Sequence, residues 1–186
     1  MRVALSGLSG CGNTTVSKLV AKKLGVPLLN YTFRDLAKDL GVGFDELHAR
    51  ALKSDEFDLG LDRKLIGKAN ALGDCVVASR LAIWLVDAKF KAWLHAPLRV
   101  RAARIAGREG WTLDHAVAHT RERDSANALR YKKIYGIDVG SHGGLAETID
   151  VGGKTAGEAA ELIAGRAKAS KKVLPADARV LKVLRE

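Results

Sequence analysis

The chain alternates short apolar runs with longer stretches in which apolar residues recur every three or four positions. The stretch from Thr14 to Leu24, with Val16, Leu19 and Val20 on one face, is typical of an amphipathic helix. Short runs predict five buried strands: Val3–Leu5, Val26–Leu29, Cys75–Ala78, Lys91–His95 and Thr148–Val151. Strands separated by helices predict an α/β fold with a parallel β-sheet of about five strands, sandwiched by helices.

Glycine and proline mark the boundaries of the other predicted helices. Gly41 and Gly73 are expected to end helices, and Pro97 suits a helix start. The predicted helices are 33–40, 44–52, 57–72, 97–107, 112–135 and 156–169. This alternation predicts a single domain over residues 1–165, followed by a basic C-terminal tail over residues 166–186.

The composition is that of a soluble globular protein. Of the 186 residues, 47% are hydrophobic, and the mean hydropathy is −0.03. No apolar run approaches the ~20 residues of a membrane helix, and the N-terminus has no signal-peptide layout. Cys11 and Cys75 have neither metal-ligand nor disulfide-framework spacing. We therefore expect a cytoplasmic protein without a membrane partner.

The formal net charge of +10 is concentrated in two places. Residues 166–186 hold seven Lys or Arg against two acids, and residues 99–133 hold nine against four. We interpret the terminal cluster as a solvated, loosely attached end, with nucleic-acid binding as the alternative. The inner cluster coincides with a set of arginines on predicted helices.

A glycine-rich segment near the N-terminus matches the phosphate-binding pattern G-x-x-x-x-G-K-[ST]. In residues 7–14, GLSGCGNT, every fixed position is met except the lysine, which is Asn13. Between a buried strand and a helix, such loops hold phosphates with backbone N–H groups, and the Thr14 hydroxyl would bind Mg²⁺. A glycine-rich turn without a ligand is the alternative. The predicted phosphate-binding residues are Gly7, Ser9, Gly10, Cys11, Gly12, Asn13, Thr14 and Thr15.

Arginines outside this loop lie where they could neutralise phosphates. Arg80 directly follows the third predicted strand, at the edge where open α/β sheets bind ligands, and a charge there needs a partner. The others follow the second strand or share helix faces, and a solvated face is the alternative for each. They are Arg34, the set Arg101, Arg104 and Arg108, and the pair Arg123 and Arg130 with Asn127 between them.

Further motifs follow the loop along the chain. They are residues 33–37 (FRDLA), 79–84 (SRLAIW), 96–105 (APLRVRAARI), 121–124 (RERD), 130–131 (RY) and 135–138 (YGID). Together with the loop they resemble the cytidylate kinases of archaea and spirochaetes, within the nucleoside monophosphate kinase family. The motifs occur in the family's order and cover most of residues 1–151. The joint match is specific, although no single motif is.

This resemblance implies an enzyme that transfers the γ-phosphate of ATP, with Mg²⁺, to CMP or dCMP. It implies a P-loop architecture with a core, monophosphate-binding helices at about 30–73 and a mobile lid at about 99–135. No general base is needed, because the acceptor is already an anionic phosphate oxygen. The expected partners are these nucleotides, nucleic acid is not expected to bind, and the expected state is a monomer.

The resemblance also implies roles for individual residues. Those expected to act in catalysis are Arg104, Arg123 and Arg130. Arg108 is expected to bind ATP with the loop. Those expected to bind the acceptor nucleotide are Arg34, Arg80 and Asn127. Asp62 shares a helix face with Asp58 and is a candidate for contact with the acceptor base, a solvated face being the alternative.

Two positions depart from the family pattern. Asn13 replaces the loop lysine, so a nucleotide-binding module with weak or lost transfer chemistry is one alternative. Asn127 stands where the family more often has an aspartate, and an amide, which both donates and accepts, could admit uracil as well as cytosine. A kinase of another small acceptor is a further alternative. None of the histidines has convincing spacing for a metal site.

Overall fold

Five parallel strands form one sheet with the order β2-β3-β1-β4-β5. A computed structural model describes residues 1–51 and 53–186, without the side chains of residues 44, 45, 48 and 49. The strands are β1 (Val3–Gly7), β2 (Leu28–Leu29), β3 (Val76–Ala78), β4 (Phe90–His95) and β5 (Glu147–Asp150). The predicted α/β class, with a parallel sheet of about five strands, is confirmed.

Helices lie between and after these strands. They are α1 (Asn13–Leu24), α2 (Phe33–Leu40), α3 (Phe44–Ala51), α4 (Glu56–Leu72), α5 (Ala82–Leu85), α6 (Leu98–Glu109), α7 (Leu113–Tyr135), α8 (Ala156–Ala169) and α9 (Ala178–Arg185). The helix predicted over 44–52 is α3, and its predicted last residue, Leu52, lies outside the described residues, as does the side chain of His48. None of the described helices combines the length and apolarity needed to cross a bilayer.

The helices cover both faces of the sheet and bury two apolar clusters. On one face α1 packs against α8, and Val20 and Ile163 are fully buried there. On the other face Leu65 of α4 and Trp84 of α5 join a second cluster. Strands between two helical layers must be apolar on both faces, which explains their continuous apolar runs. Because β1 is the central strand, the segment after it lies at the middle of the carboxyl edge of the sheet.

The C-terminal segment is docked on the domain, so the expectation of a loosely attached end is wrong. Leu174 pairs with Ala88, and the N–H of Asp177 donates to the carbonyl oxygen of Trp84 at 2.8 Å. Helix α9 then buries Val180 and Leu184 in the cluster that contains Trp84. These two residues are four positions apart, the spacing of an amphipathic helix, which the high local charge obscured in the sequence.

A buried lysine in β4 holds the C-terminal segment to the sheet. Lys91 is fully inaccessible to solvent, and its Nζ donates to the carbonyl oxygens of Ile83 at 2.6 Å and Pro175 at 2.7 Å. Burial disfavours the charged amine and lowers its pKa to about 8, although Asp87 and Asp177 act in the opposite direction. The folded protein therefore releases this proton more readily than the unfolded chain does.

This difference predicts a pH dependence of stability. An ordinary lysine has a pKa of about 10.5, whereas that of Lys91 in the folded protein is about 8. Between these two pH values the unfolded chain holds more protons than the folded protein, so the free energy of unfolding rises with pH. We expect wild type to gain about 1–2 kcal/mol relative to Lys91→Met between pH 7 and pH 9.5. Urea unfolding at the two pH values measures this gain. A constant difference between the two proteins would contradict the assignment.

Candidate functional site

The glycine-rich segment forms a tight turn between β1 and α1. Gly10 and Gly12 have φ angles of +82° and +83°, in the left-handed region that favours glycine. A Cβ atom at Gly10 would lie only 2.5 Å from the carbonyl oxygen of Arg101, so the turn packs closely against α6. A side chain at this position would push the turn away from α6.

The start of α1 adds hydrogen-bond donors to this turn. The N–H groups of Asn13, Thr14 and Thr15 belong to the first helical turn and have no acceptor within the helix. The side chains of Thr14 and Thr15 are exposed, so their hydroxyl groups face solvent at the mouth of the turn. Backbone donors and the positive end of a helix dipole suit this position to bind an anion.

The side chain of Asn13 faces the base of the turn. Its Nδ2 lies 3.4 Å from the carbonyl oxygen of Leu5 and 3.5 Å from that of Ser79, and its Oδ1 accepts from Ser17 Oγ at 3.3 Å. Leu5 belongs to β1, and Ser79 directly follows β3. Asn13 is therefore an uncharged link between β1 and the segment that follows β3.

A buried ion pair supports the turn at Ser9. The carboxylate of Asp124 accepts from Arg101 Nη1 at 2.6 Å and from the N–H of Ser9 at 3.2 Å. Arg101 also donates to the carbonyl oxygens of Ser9 at 2.9 Å and Ala96 at 3.0 Å. The two side chains are only 7% and 13% exposed. Arg101 thus supports the loop at Ser9. The resemblance implies that it belongs to a mobile lid, and that role stays a prediction.

Three guanidinium groups converge above the turn. Arg123 is exposed at the surface, and its pKa is lowered, first by partial desolvation and then by the nearby charges of Arg80 and Arg108, while Asp124 acts in the opposite direction. Arg80 donates to Ser9 Oγ at 3.2 Å, and Arg108 pairs with the exposed Glu109. Within residues 1–51 and 53–186, Arg80 and Arg123 form no ion pair. Like charges held together in this way create a strongly positive site for an anion.

The turn separates two cavities. The first, which we call the narrow cavity, has a volume of about 10 Å³ and is lined by Gly7, Leu8, Arg80, Trp93, Asp124, Asn127, Tyr131 and Val139. The second, which we call the wide cavity, has a volume of about 330 Å³ and is lined by residues 10–12, 15 and 16, Arg104, Ile105, Arg108, Val151, Lys154 and Ala156. The wide cavity has the size of a small-molecule site, whereas the narrow one holds about one water.

Carboxylates of α4 contact α7. Asp58 forms an ion pair with Arg130, which also donates to the carbonyl oxygen of Ala51 at 3.1 Å. Asp62 accepts from Tyr135 Oη at 2.5 Å, and burial raises the pKa of its carboxyl group to about 7. These contacts join α4 to α7, the helix that lines the narrow cavity with Asp124, Asn127 and Tyr131.

Most predicted site residues lie around the turn. Arg80 and Asn127 line the narrow cavity, and Arg104 and Arg108 line the wide one. Arg104 also donates to the carbonyl oxygen of Val151 at 2.6 Å, at the end of β5. Asp62 is buried and lines neither cavity, and its role in acceptor binding stays a prediction.

The fold and this site define the class of protein. A phosphate-binding loop after the central strand of a parallel sheet, faced by arginines, is the arrangement of the P-loop kinases. The AAA domain family matches residues 3–122. Solved structures with a similar fold include a shikimate kinase from Acinetobacter baumannii (TM-score 0.61, 15% identity, 91% of this chain and 94% of that one). A deoxyadenosine kinase from M. mycoides has a TM-score of 0.56 at 15% identity and covers 91% of this chain and 100% of its own.

Sequence relatives narrow the class to one family. Cytidylate kinase 2 of Borrelia garinii subsp. bavariensis is 40% identical over 170 residues, 88% of this chain and 94% of that protein. The cytidylate kinase of Natronomonas pharaonis is 43% identical over 143 residues, 75% of this chain and 74% of that protein. The chain belongs to the cytidylate kinase family, as the motifs in its sequence indicated.

Proposed function

We propose that this protein transfers the γ-phosphoryl group of ATP to CMP or dCMP, giving ADP and CDP or dCDP. The observation that carries the proposal is the position of the phosphate loop, between a wide and a narrow cavity and in contact with Arg80 through Ser9. Two nucleotides that react through their phosphates need two sites that meet at one positive centre. Membership in the cytidylate kinase family supports this choice of donor and acceptor.

The wide cavity is suited to ATP. Backbone N–H groups of Gly12, Asn13 and Thr14 would bind its phosphates, while Arg104, Arg108 and Lys154 line the remainder of the cavity. The site is also suited to Mg²⁺, because the exposed hydroxyl group of Thr14, at the start of α1, could bind the ion beside the phosphates. Bound Mg²⁺ would neutralise phosphate charge, with nucleotide oxygens and waters completing its coordination.

The narrow cavity is suited to the acceptor nucleotide once it widens. Arg80 would bind the acceptor phosphate, and Asn127 would contact the base. The ion pair between Asp58 and Arg130 joins α4 to α7, so its opening would release a guanidinium for phosphate binding. Arg34, which is exposed on α2, is proposed to complete the phosphate contacts.

The reaction needs alignment and charge neutralisation. An oxygen of the acceptor phosphate forms a bond to the γ-phosphorus while the bond to the β,γ-bridging oxygen breaks, and ADP leaves with that electron pair. Arg123 would stabilise the negative charge on the transferred group. Closure of α6 and α7 would exclude water, which otherwise competes as an acceptor.

We further propose that the enzyme is a cytoplasmic monomer.

A coupled assay of ADP production tests this proposal with CMP, dCMP, UMP and AMP as acceptors. We expect the highest kcat/KM with CMP or dCMP, and measurable turnover of UMP because the Asn127 amide can both donate and accept. Absence of acceptor-dependent turnover with all four nucleotides would contradict the proposal. If ATP still bound under those conditions, the chain would be a nucleotide-binding module that lacks transfer chemistry.

A further inference from the structure

Because the loop lacks its lysine, another residue must supply the positive charge at the transferred phosphate. Asn13 cannot supply it, because its amide is neutral and contacts the carbonyl oxygens of Leu5 and Ser79 at the base of the loop. Lys18, the next cation along α1, is exposed and one turn further from the loop. The replacement must therefore come from a different segment of the chain.

Most cations near the loop have other partners. Arg101 is held by Asp124 and by two carbonyl oxygens, which keeps its side chain beneath the loop. Arg104 donates to the carbonyl oxygen of Val151, and Arg130 is paired with Asp58. These contacts direct the three guanidinium groups to protein atoms on different sides of the loop.

Arg80 has the required position. Its Nη2 donates to the Ser9 hydroxyl at 3.2 Å, so its guanidinium already touches the middle of the loop. It also lines the narrow cavity with Gly7 and Leu8, on the side from which the acceptor would approach. In the described part of the chain it has no carboxylate partner, and the neighbouring Arg123 adds further positive charge.

Asn13 stabilises the segment that carries this arginine. The amide of Asn13 contacts the carbonyl oxygen of Ser79, the residue immediately before Arg80. The asparagine thus replaces the charge of a lysine with an anchor on the neighbouring strand end. An arginine at that strand end can bind two oxyanions at once through its several N–H donors, whereas a lysine is a point charge.

We propose that Arg80 takes the place of the loop lysine and contacts the γ-phosphate of the donor nucleotide as well as the acceptor phosphate. The proposal rests on the proposed function for its choice of nucleotides. It extends the role of Arg80 from acceptor binding to donor binding. It also explains how a loop without lysine retains a cation at the transferred group.

Calorimetric titration of the full chain with Mg²⁺, without acceptor, tests the donor contact. The probes are ADP and the β,γ-imido analogue of ATP, which differ at the γ-phosphate. We expect Arg80→Gln to lower the preference for the analogue over ADP on the order of tenfold. Arg80→Lys, which keeps the charge, is expected to retain most of the preference. Lys18→Gln is the matched control, with no change expected.

Two results would overturn the proposal. An unchanged preference in Arg80→Gln, accompanied by weaker CMP binding, would restrict Arg80 to the acceptor. If Lys18→Gln instead lost the preference for the analogue over ADP, Lys18 of α1 would be the residue that replaces the loop lysine. Thermal unfolding of each variant confirms that it is folded before titration. Because the titration does not depend on turnover, failure of the kinase proposal would appear separately, in the assay of ADP production.

Discussion

Replacing Asp124 by alanine is expected to lower the free energy of unfolding by about 3–5 kcal/mol. The substitution leaves the guanidinium of Arg101 buried at 7% exposure without its carboxylate, and it removes the acceptor of the Ser9 N–H. A buried charge that loses its partner costs more than the net value of the pair. We also expect kcat to fall on the order of 10²-fold, because the loop loses its support on α7.

Urea unfolding and the coupled kinase assay measure these two effects. Glu122→Ala is the matched control, because Glu122 is an exposed acid on the same helix and its substitution removes the same charge. Its effect on the free energy of unfolding should stay within about 0.5 kcal/mol. The double variant Arg101→Met with Asp124→Leu should lose less stability than the two single losses combined, because no unpaired charge remains. If Asp124→Ala lowered the free energy of unfolding by less than about 1 kcal/mol, the ion pair between Arg101 and Asp124 would not support the loop as described.

Much of the fold could be predicted because local patterns determine it. The apolar run of β3 and the amphipathic periodicity of α1 agree with the burial that the structure shows for them. Helix α9 was missed because its apolar residues lie in a segment dominated by Lys and Arg. Its docking depends on Lys91, a charged residue in β4 whose contacts with Ile83 and Pro175 arise only in the tertiary structure.

The site could be predicted only in part, because its chemistry depends on contacts between distant segments. The loop and Arg80 follow from their positions at strand ends, which the sequence makes visible. Arg101 and Asp124 were not identified as loop supports, since their contact joins residues 23 positions apart and both reach Ser9 through space.

Replacing Arg123 by alanine is expected to lower kcat on the order of 10²–10³-fold while leaving the folded state at least as stable as wild type. The exposed guanidinium of Arg123 interacts with Arg80 and Arg108, whose repulsion, added to partial desolvation, lowers its pKa, while Asp124 acts in the opposite direction. Its removal therefore costs the free protein little, because solvent screens an exposed charge and the repulsion from two arginines outweighs the attraction of one carboxylate. The same removal withdraws charge from the phosphoryl group in the transition state.

This combination distinguishes a functional arginine from a structural one. Arg121→Ala is the control, because Arg121 is exposed on the same helix two residues earlier and should leave kcat unchanged. Inorganic phosphate should raise the melting temperature of wild type more than that of Arg123→Ala, since an anion that binds the arginine cluster stabilises only the folded state. If Arg123→Ala instead lost stability together with activity, Arg123 would support the fold. The positive charge at the loop would then depend on Arg80 and Arg108.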